Sequence, residues 1–141
     1  MRAAEARAAR RVAVADDNRL HLALCVDALR GGGFDVLGVA DFRDPESVVH
    51  RLAEWHPDLV VVDERLSGST VSGLWLLEQL RRVLPEPTKY LLCSAYTDDA
   101  ELLRHYEALG VPARAVLPKA SVLPAEIVTA VRRALQEPQV T

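Results

Sequence analysis

The chain has 141 residues, of which 50% are hydrophobic and 26% are charged, and its formal net charge is −3 at pH 7. This length and balance predict one globular domain with a full hydrophobic core and exclude a disordered or fibrous chain. The weak negative charge gives no electrostatic reason to expect a nucleic acid or an anionic membrane as a partner.

The first ten residues are basic and rich in alanine, and no apolar stretch typical of a secretory signal follows them. We therefore expect residues 1–10 to form a flexible tail, with a transit-type or lipid-binding helix as the minor alternative. One folded domain is then expected over 11–137, with a second short tail over 138–141. No apolar run approaches the length of a transmembrane helix.

Short segments rich in Val and Leu alternate with longer amphipathic segments along the chain. Such alternation is typical of strand-helix units that build a parallel sheet. The third apolar segment, LVVVD, has no polar interruption before its final acid and is predicted to be buried on both faces. The predicted strands are 11–15, 34–40, 59–63, 89–94 and 113–117.

The amphipathic segments predict five helices with recognisable ends. The first ends at a Gly triplet, and the second has Asp44 as N-cap with Pro45 at its first position. A capping box of Asp98 and Glu101 is predicted for the fourth helix, with Gly110 as its C-cap. The predicted helices are 18–30, 45–55, 72–84, 99–109 and 124–135.

Five strands and five helices in alternation predict an α/β fold, a doubly wound five-stranded parallel sheet with helices on both faces. In such sheets, ligands bind at the carboxyl ends of the strands, near the point where the strand order reverses. The residues at those ends are therefore the candidates for a functional site.

Five polar residues follow the predicted strands. Asp16 and Asp17 follow the first, Asp63 ends the third, Ser94 ends the fourth and Lys119 follows the fifth. Each alone has a structural explanation as a cap, a loop hydroxyl or a solvated charge, but together they suit phosphoryl transfer to a carboxylate. Clustered carboxylates suit Mg²⁺, Asp63 would be the nucleophile, and Lys119 and Ser94 would stabilise the phosphoryl oxygens.

Four segments and one glycine carry a resemblance to a known family: VAVADDN, PDLVVVDERL, Gly73, LLCSA and VLPKAS. They resemble the signature segments of the receiver domain of two-component response regulators, over residues 11 to 136. The resemblance implies a flavodoxin-like fold of strand order 2-1-3-4-5. It also implies that Asp63 accepts a phosphoryl group from a histidine kinase or a histidine phosphotransfer protein, and that Asp16, Asp17 and the backbone carbonyl of Arg65 bind Mg²⁺ with it.

The chain departs from the family beside the acceptor and on the fifth strand. The usual proline four residues past the acceptor is Ser67 here, and Gly73 arrives late, so the intervening loop is longer and we expect it to be more mobile. Val116 stands where the family has a switching aromatic ring, so that output could be graded or carried by Tyr96. By the resemblance, Arg65 and Tyr96 occupy positions that in the family overhang the phosphoryl group and influence its hydrolysis, which predicts a long-lived aspartyl phosphate.

The leading interpretation is a stand-alone, chemotaxis-regulator-like receiver, because the chain ends soon after the fifth helix. It would not be an enzyme beyond assisting its own phosphorylation and dephosphorylation. A downstream protein target would bind at the fourth helix, fifth strand and fifth helix, where Leu102, Tyr106 and Arg114 are candidates, although core positions explain the first two equally well. Whether the receiver forms a homodimer is left open.

Two other functions compete with this interpretation. One is a pseudo-receiver, a binding module that keeps the fold without phosphorylation, which Val116 and the altered loop mildly favour. The other is a small phosphatase with an aspartyl-phosphate intermediate. It is less favoured because Arg65 stands where a general acid would be expected.

The cysteines and histidines suggest no further site. Cys25 and Cys93 lie in apolar runs, which predicts buried reduced thiols and a reducing cytoplasm. The four histidines show no metal-ligand spacing, and each is predicted to lie at the surface or at a helix end. They are His21, His50, His56 and His105.

Overall fold

The computed structural model describes residues 9–66, 71–94, 99–118 and 123–136. Within these ranges five strands alternate with five α-helices, as predicted. The strands are β1 (Arg11–Ala15), β2 (Asp35–Val39), β3 (Leu59–Asp63), β4 (Lys89–Ser94) and β5 (Val116–Pro118). The helices are α1 (Arg19–Gly31), α2 (Pro45–Trp55), α3 (Gly73–Val83), α4 (Ala100–Ala108) and α5 (Pro124–Gln136).

The five strands form one parallel sheet of order β2-β1-β3-β4-β5, which confirms the predicted doubly wound fold. Leaving β1, the chain first adds β2 on one side and later β3 on the other, so the strand order reverses between β1 and β3. Helix α1 packs beside α5, and α2 packs beside α3. The carboxyl ends of β1 and β3 therefore flank the position where doubly wound sheets bind ligands.

The core lies on both faces of the central strands. Every residue of β3 is buried, as its unbroken apolar sequence predicted. The largest fully buried aliphatic side chains come from the helices and central strands: Leu29, Leu52, Leu59, Leu76, Leu77, Leu80, Leu92 and Ile127. None of the described helices combines the length and the apolar character that crossing a membrane requires.

The helix caps follow the sequence except at α4. Asp44 caps α2, with its side chain accepting from the Ser47 amide at 3.3 Å. The N-cap of α4 is Asp99, whose side chain accepts from the Leu102 amide at 3.1 Å, so the predicted capping box with Asp98 is wrong by one residue. Two adjacent aspartates offer the same chemistry, and only the backbone path decides which of them caps the helix.

The C-terminal end of α4 and the start of β5 also differ from prediction. Leu109 is the C-cap, and Gly110 follows it with a left-handed φ of 87°. The segment predicted as a strand from residue 113 instead forms a 3-10 helix over Ala113–Ala115, with the Ala115 amide donating to the Pro112 carbonyl at 2.8 Å. The apolar run therefore pairs with β4 only from Val116 onward.

Candidate functional site

Three carboxylates converge at the carboxyl ends of β1 and β3. Asp16, Asp17 and Asp63 each offer an oxygen, and these oxygens lie within 4.8 Å of one another. Asp16 and Asp63 are each only 2% exposed, and Asp17 is half-buried. Buried acids this close repel one another unless a cation shares the site, and hard oxygen donors of this kind fit Mg²⁺.

The backbone fixes the direction of two of these carboxylates. The Asp16 amide donates to the Val39 carbonyl at 3.0 Å, which extends the pairing of β1 with β2 by one residue. One oxygen of Asp16 accepts from the Asn18 amide at 3.0 Å, and one oxygen of Asp63 accepts from the Arg65 amide at 3.1 Å. Each acid is therefore held by a turn of its own chain just beyond its strand.

His21 is a part of the site that the sequence did not reveal. It lies in the first turn of α1, and its Nδ1 donates to Oδ2 of Asp16, since an ionised carboxylate only accepts. His21 therefore lies at a helix end, as predicted, and His50, His56 and His105 are exposed, but the contact of His21 with Asp16 was not predicted. The sequence signal that could have found it is its place on the first turn after Asp16 and Asp17.

The His21 contact continues inward to a cysteine. Nε2 of His21 lies 3.8 Å from Sγ of Cys25, one turn further along α1. Burial and the nearby Asp16 charge raise the pKa of the Cys25 thiol to about 11, so the thiol stays protonated at neutral pH. Cys25 and Cys93 are both buried, and neither forms a disulfide within the part of the chain that the structure describes, as predicted.

Glu64, the residue after Asp63, connects the site to β4 and α4. The Ser94 hydroxyl donates to Oε2 of Glu64 at 2.7 Å, and the Tyr106 hydroxyl donates to the same oxygen. Ser94 and Tyr106 are buried, at 0% and 1% exposure. Burial, reinforced by the bond to Glu64, raises the pKa of Tyr106 well above its ordinary value, so the phenol remains a donor.

Gly73 packs directly against the backbone of Asp63 and Glu64. Its amide donates to the Glu64 carbonyl at 2.8 Å, at the first residue of α3. A Cβ at this position would overlap the carbonyl oxygen of Asp63 and lie 2.8 Å from Cα of Glu64. The start of α3 thus lies directly against the segment that carries Asp63, and only glycine allows this approach.

The remaining predicted site residues are distributed as follows. Arg65 is exposed, with its amide turned toward Asp63, and Val116 is buried on β5 opposite Leu92. Lys119 and Tyr96 lie outside the residues that the structure describes.

The three candidate contact residues divide between core and surface. Tyr106 is core, Leu102 is half-buried and Arg114 is exposed. The alternative that placed Tyr106 in the core therefore holds for that residue.

Comparison with solved structures finds the same fold. The chemotaxis protein CheY4 of Vibrio cholerae is 16% identical, with a TM-score of 0.74 over 90% of this chain and 99% of that one. A CheY-like receiver domain protein of Methanospirillum hungatei is 20% identical, with a TM-score of 0.70 over 91% and 94%. A Burkholderia pseudomallei response regulator, solved with a phosphorylated aspartic acid and a calcium ion, is 20% identical, with a TM-score of 0.69 over 90% and 66%.

Comparison with sequences decides the family. No curated protein sequence matches the chain. The family model described as the response regulator receiver domain matches residues 12–132, which is most of the chain. The chain therefore belongs to the response regulator receiver domain family, the phosphoacceptor domains of two-component systems.

Proposed function

We propose that Asp63 accepts the phosphoryl group and that Asp16 and Asp17 bind Mg²⁺ together with it, with residues 11–137 as the domain that carries this activity. The observation that supports this assignment is the convergence of the three carboxylates within 4.8 Å where the strand order reverses. Asp63 is the member that ends the central strand. The backbone carbonyl of Arg65 is proposed as a further oxygen ligand.

In the transfer, an oxygen of Asp63 attacks the phosphorus of a phosphohistidine. The new O–P bond forms while the N–P bond breaks, and its electron pair stays on the imidazole nitrogen of the donor. Bound Mg²⁺ would neutralise charge on the phosphoryl oxygens. The Arg65 amide donates to the Asp63 carboxylate and so orients it, and Ser94 and Lys119 are proposed to contact the transferred group.

The partner that supplies the phosphoryl group is proposed to bind beside α1. Leu20 and Leu24 of α1 are 72% and 48% exposed, and Leu123, just before α5, is 62% exposed. Leu20 and Leu24 lie on α1, which begins three residues after Asp16, and Leu123 precedes α5, which packs beside α1. Exposed apolar side chains of this kind suit a helical surface of a histidine kinase or phosphotransfer protein. Output to a downstream protein would use α4, β5 and α5, and the reduced cysteines fit a cytoplasmic setting.

Phosphorylation of Asp63 is tested with a small phosphodonor. Incubating the chain with acetyl phosphate and Mg²⁺ should add one phosphoryl group by intact-mass measurement, and Asp63→Asn should abolish the gain. Asp27→Asn, which removes an exposed acid on α1, is the matched control and should be phosphorylated normally. A wild-type chain that gains no mass from any donor or kinase would instead support the pseudo-receiver.

His21 is expected to set the affinity for Mg²⁺. Because it donates to a proposed ligand oxygen of Asp16, removing it should leave that carboxylate less firmly oriented. Loss of such an outer partner typically weakens metal binding about tenfold or more, so we expect His21→Ala to raise the Kd for Mg²⁺ about tenfold by calorimetry. His50→Ala, which alters an exposed histidine paired with Glu54, should leave the Kd for Mg²⁺ unchanged. Equal affinities for His21→Ala and the wild type would contradict this role.

A further inference from the structure

The side chain of Glu64 lies between the proposed phosphorylation site and α4, and its backbone is held from both sides. Its amide donates to the Cys93 carbonyl at 2.9 Å, and its carbonyl accepts from the Gly73 amide at 2.8 Å. With the backbone held in this way, the half-buried carboxylate reaches Ser94 on β4 and Tyr106 on α4. One acid thus connects three elements of the fold.

The donors and acceptors in this cluster limit what Ser94 can do. A serine hydroxyl has one proton, and an ionised carboxylate has none to give. In the structure that proton points at Glu64, at an O–O distance of 2.7 Å. A phosphoryl oxygen on Asp63 could receive a hydrogen bond from Ser94 only if the proton leaves Glu64. The two acceptors therefore compete for one donor.

We infer that Glu64 is a positioning residue that holds the Ser94 hydroxyl in the unphosphorylated protein. When Glu64 releases this hydroxyl, the change at Glu64 reaches α4 through Tyr106. This inference rests on the proposed role of Asp63. When Ser94 turns to the phosphoryl group, Oε2 of Glu64 loses one of its two donors while Tyr106 remains. A partly buried carboxylate that loses a donor must move or rehydrate, and Tyr106, fully buried on α4, must respond.

The position of Tyr106 also fits the absence of an aromatic ring on β5. Val116 is aliphatic and has no hydroxyl with which to sense the site. Tyr106 places a ring and a hydroxyl on the preceding helix, in hydrogen-bond contact with the residue next to the acceptor. A switch requires a buried element that can adopt two arrangements, and we assign this role to the Glu64–Tyr106 pair.

A double-mutant cycle tests the competition for Ser94. Beryllofluoride with Mg²⁺, a phosphoryl analogue that binds the acceptor carboxylate, is titrated against the wild type, Glu64→Gln, Ser94→Ala and the double variant. An uncharged amide is a weaker acceptor than a carboxylate, so Glu64→Gln should bind beryllofluoride about five- to tenfold more tightly. In the Ser94→Ala background the same change should have no effect, because the contested proton is gone.

The cycle separates this inference from simpler explanations. If Glu64→Gln strengthens binding equally with and without Ser94, the effect is the loss of a negative charge near an anion and the inference is wrong. Glu107→Gln, which removes an exposed acid beside Tyr106 on α4, should leave binding unchanged. A wild type that binds no beryllofluoride and is not phosphorylated would refute the proposed function itself, a result distinct from binding without coupling.

The role of Tyr106 has its own readout. In the wild type, beryllofluoride should shift the amide NMR signals of α4, Ala100–Ala108, along with that of Ser94. In Tyr106→Phe, which keeps the ring in the core but removes the donor, the Ser94 shift should persist and the α4 shifts should fall by more than half. Unchanged α4 shifts in this variant would show that the signal does not pass through Tyr106.

Discussion

Replacing Gly73 with alanine should lower the free energy of unfolding by about 3 kcal/mol, the upper range for overpacking a rigid site. The added Cβ would overlap the Asp63 carbonyl oxygen and approach its carbonyl carbon to 2.9 Å. All of these atoms belong to the backbone, so no side chain can rotate away. Relief requires the start of α3 to separate from β3, which also breaks the hydrogen bond from the Gly73 amide to Glu64.

Urea denaturation of the variant and of a matched glycine substitution measures this effect. Gly31, the last residue of α1, has no atom within 4 Å of the position that a Cβ would take. Gly31→Ala should therefore be neutral or stabilise the protein by up to about 1 kcal/mol, because alanine loses less backbone entropy in a helix. If Gly73→Ala unfolds at the same urea concentration as Gly31→Ala, the close approach of α3 to the acceptor segment is not rigid.

The fold was largely predictable because hydrophobic patterning decides it. Strands β1, β3 and β4 begin and end at the predicted residues, since each is a short apolar run bounded by polar residues or loop signals. Strand β2 is one residue shorter at each end than predicted, and β5 departs most, because its apolar run continues a 3-10 turn that Pro112 helps to close. Pattern alone cannot distinguish a short strand from an apolar turn beside it.

The site was predictable only in part. The convergence of Asp16, Asp17 and Asp63 follows from topology, because parallel strands bring their carboxyl ends to one edge. The contacts of His21 and Glu64 do not follow, because both depend on side-chain directions after helices and strands have packed. Glu64 shares a peptide bond with Asp63, yet it contacts Tyr106 on α4, 42 positions away in sequence. No local sequence pattern predicts a side-chain contact of this kind.

Replacing Asp63 with asparagine should stabilise the metal-free protein, although it removes the proposed acceptor. The three carboxylate oxygens lie within 4.8 Å of one another, and Asp16 and Asp63 are almost fully buried, so that water screens their repulsion poorly. Two like charges at such a distance repel by a few kcal/mol at an intermediate dielectric, which other contacts partly offset. We expect Asp63→Asn to raise the free energy of unfolding in EDTA by about 2 kcal/mol. Its amide oxygen can still accept from the Arg65 amide.

Adding Mg²⁺ should reduce the difference in stability between the wild type and Asp63→Asn. A cation that binds only the folded state at ten times its Kd stabilises that state by about 1.4 kcal/mol. The free energy of unfolding of the wild type should rise by this amount, whereas that of Asp63→Asn, which lacks one anionic ligand, should rise little. The difference in free energy of unfolding between the two proteins therefore becomes smaller in Mg²⁺. Asp27→Asn, an exposed acid on α1, should behave as the wild type in both conditions. If Asp63→Asn were less stable than the wild type in EDTA, crowding of the three acids would not be the dominant force at this site.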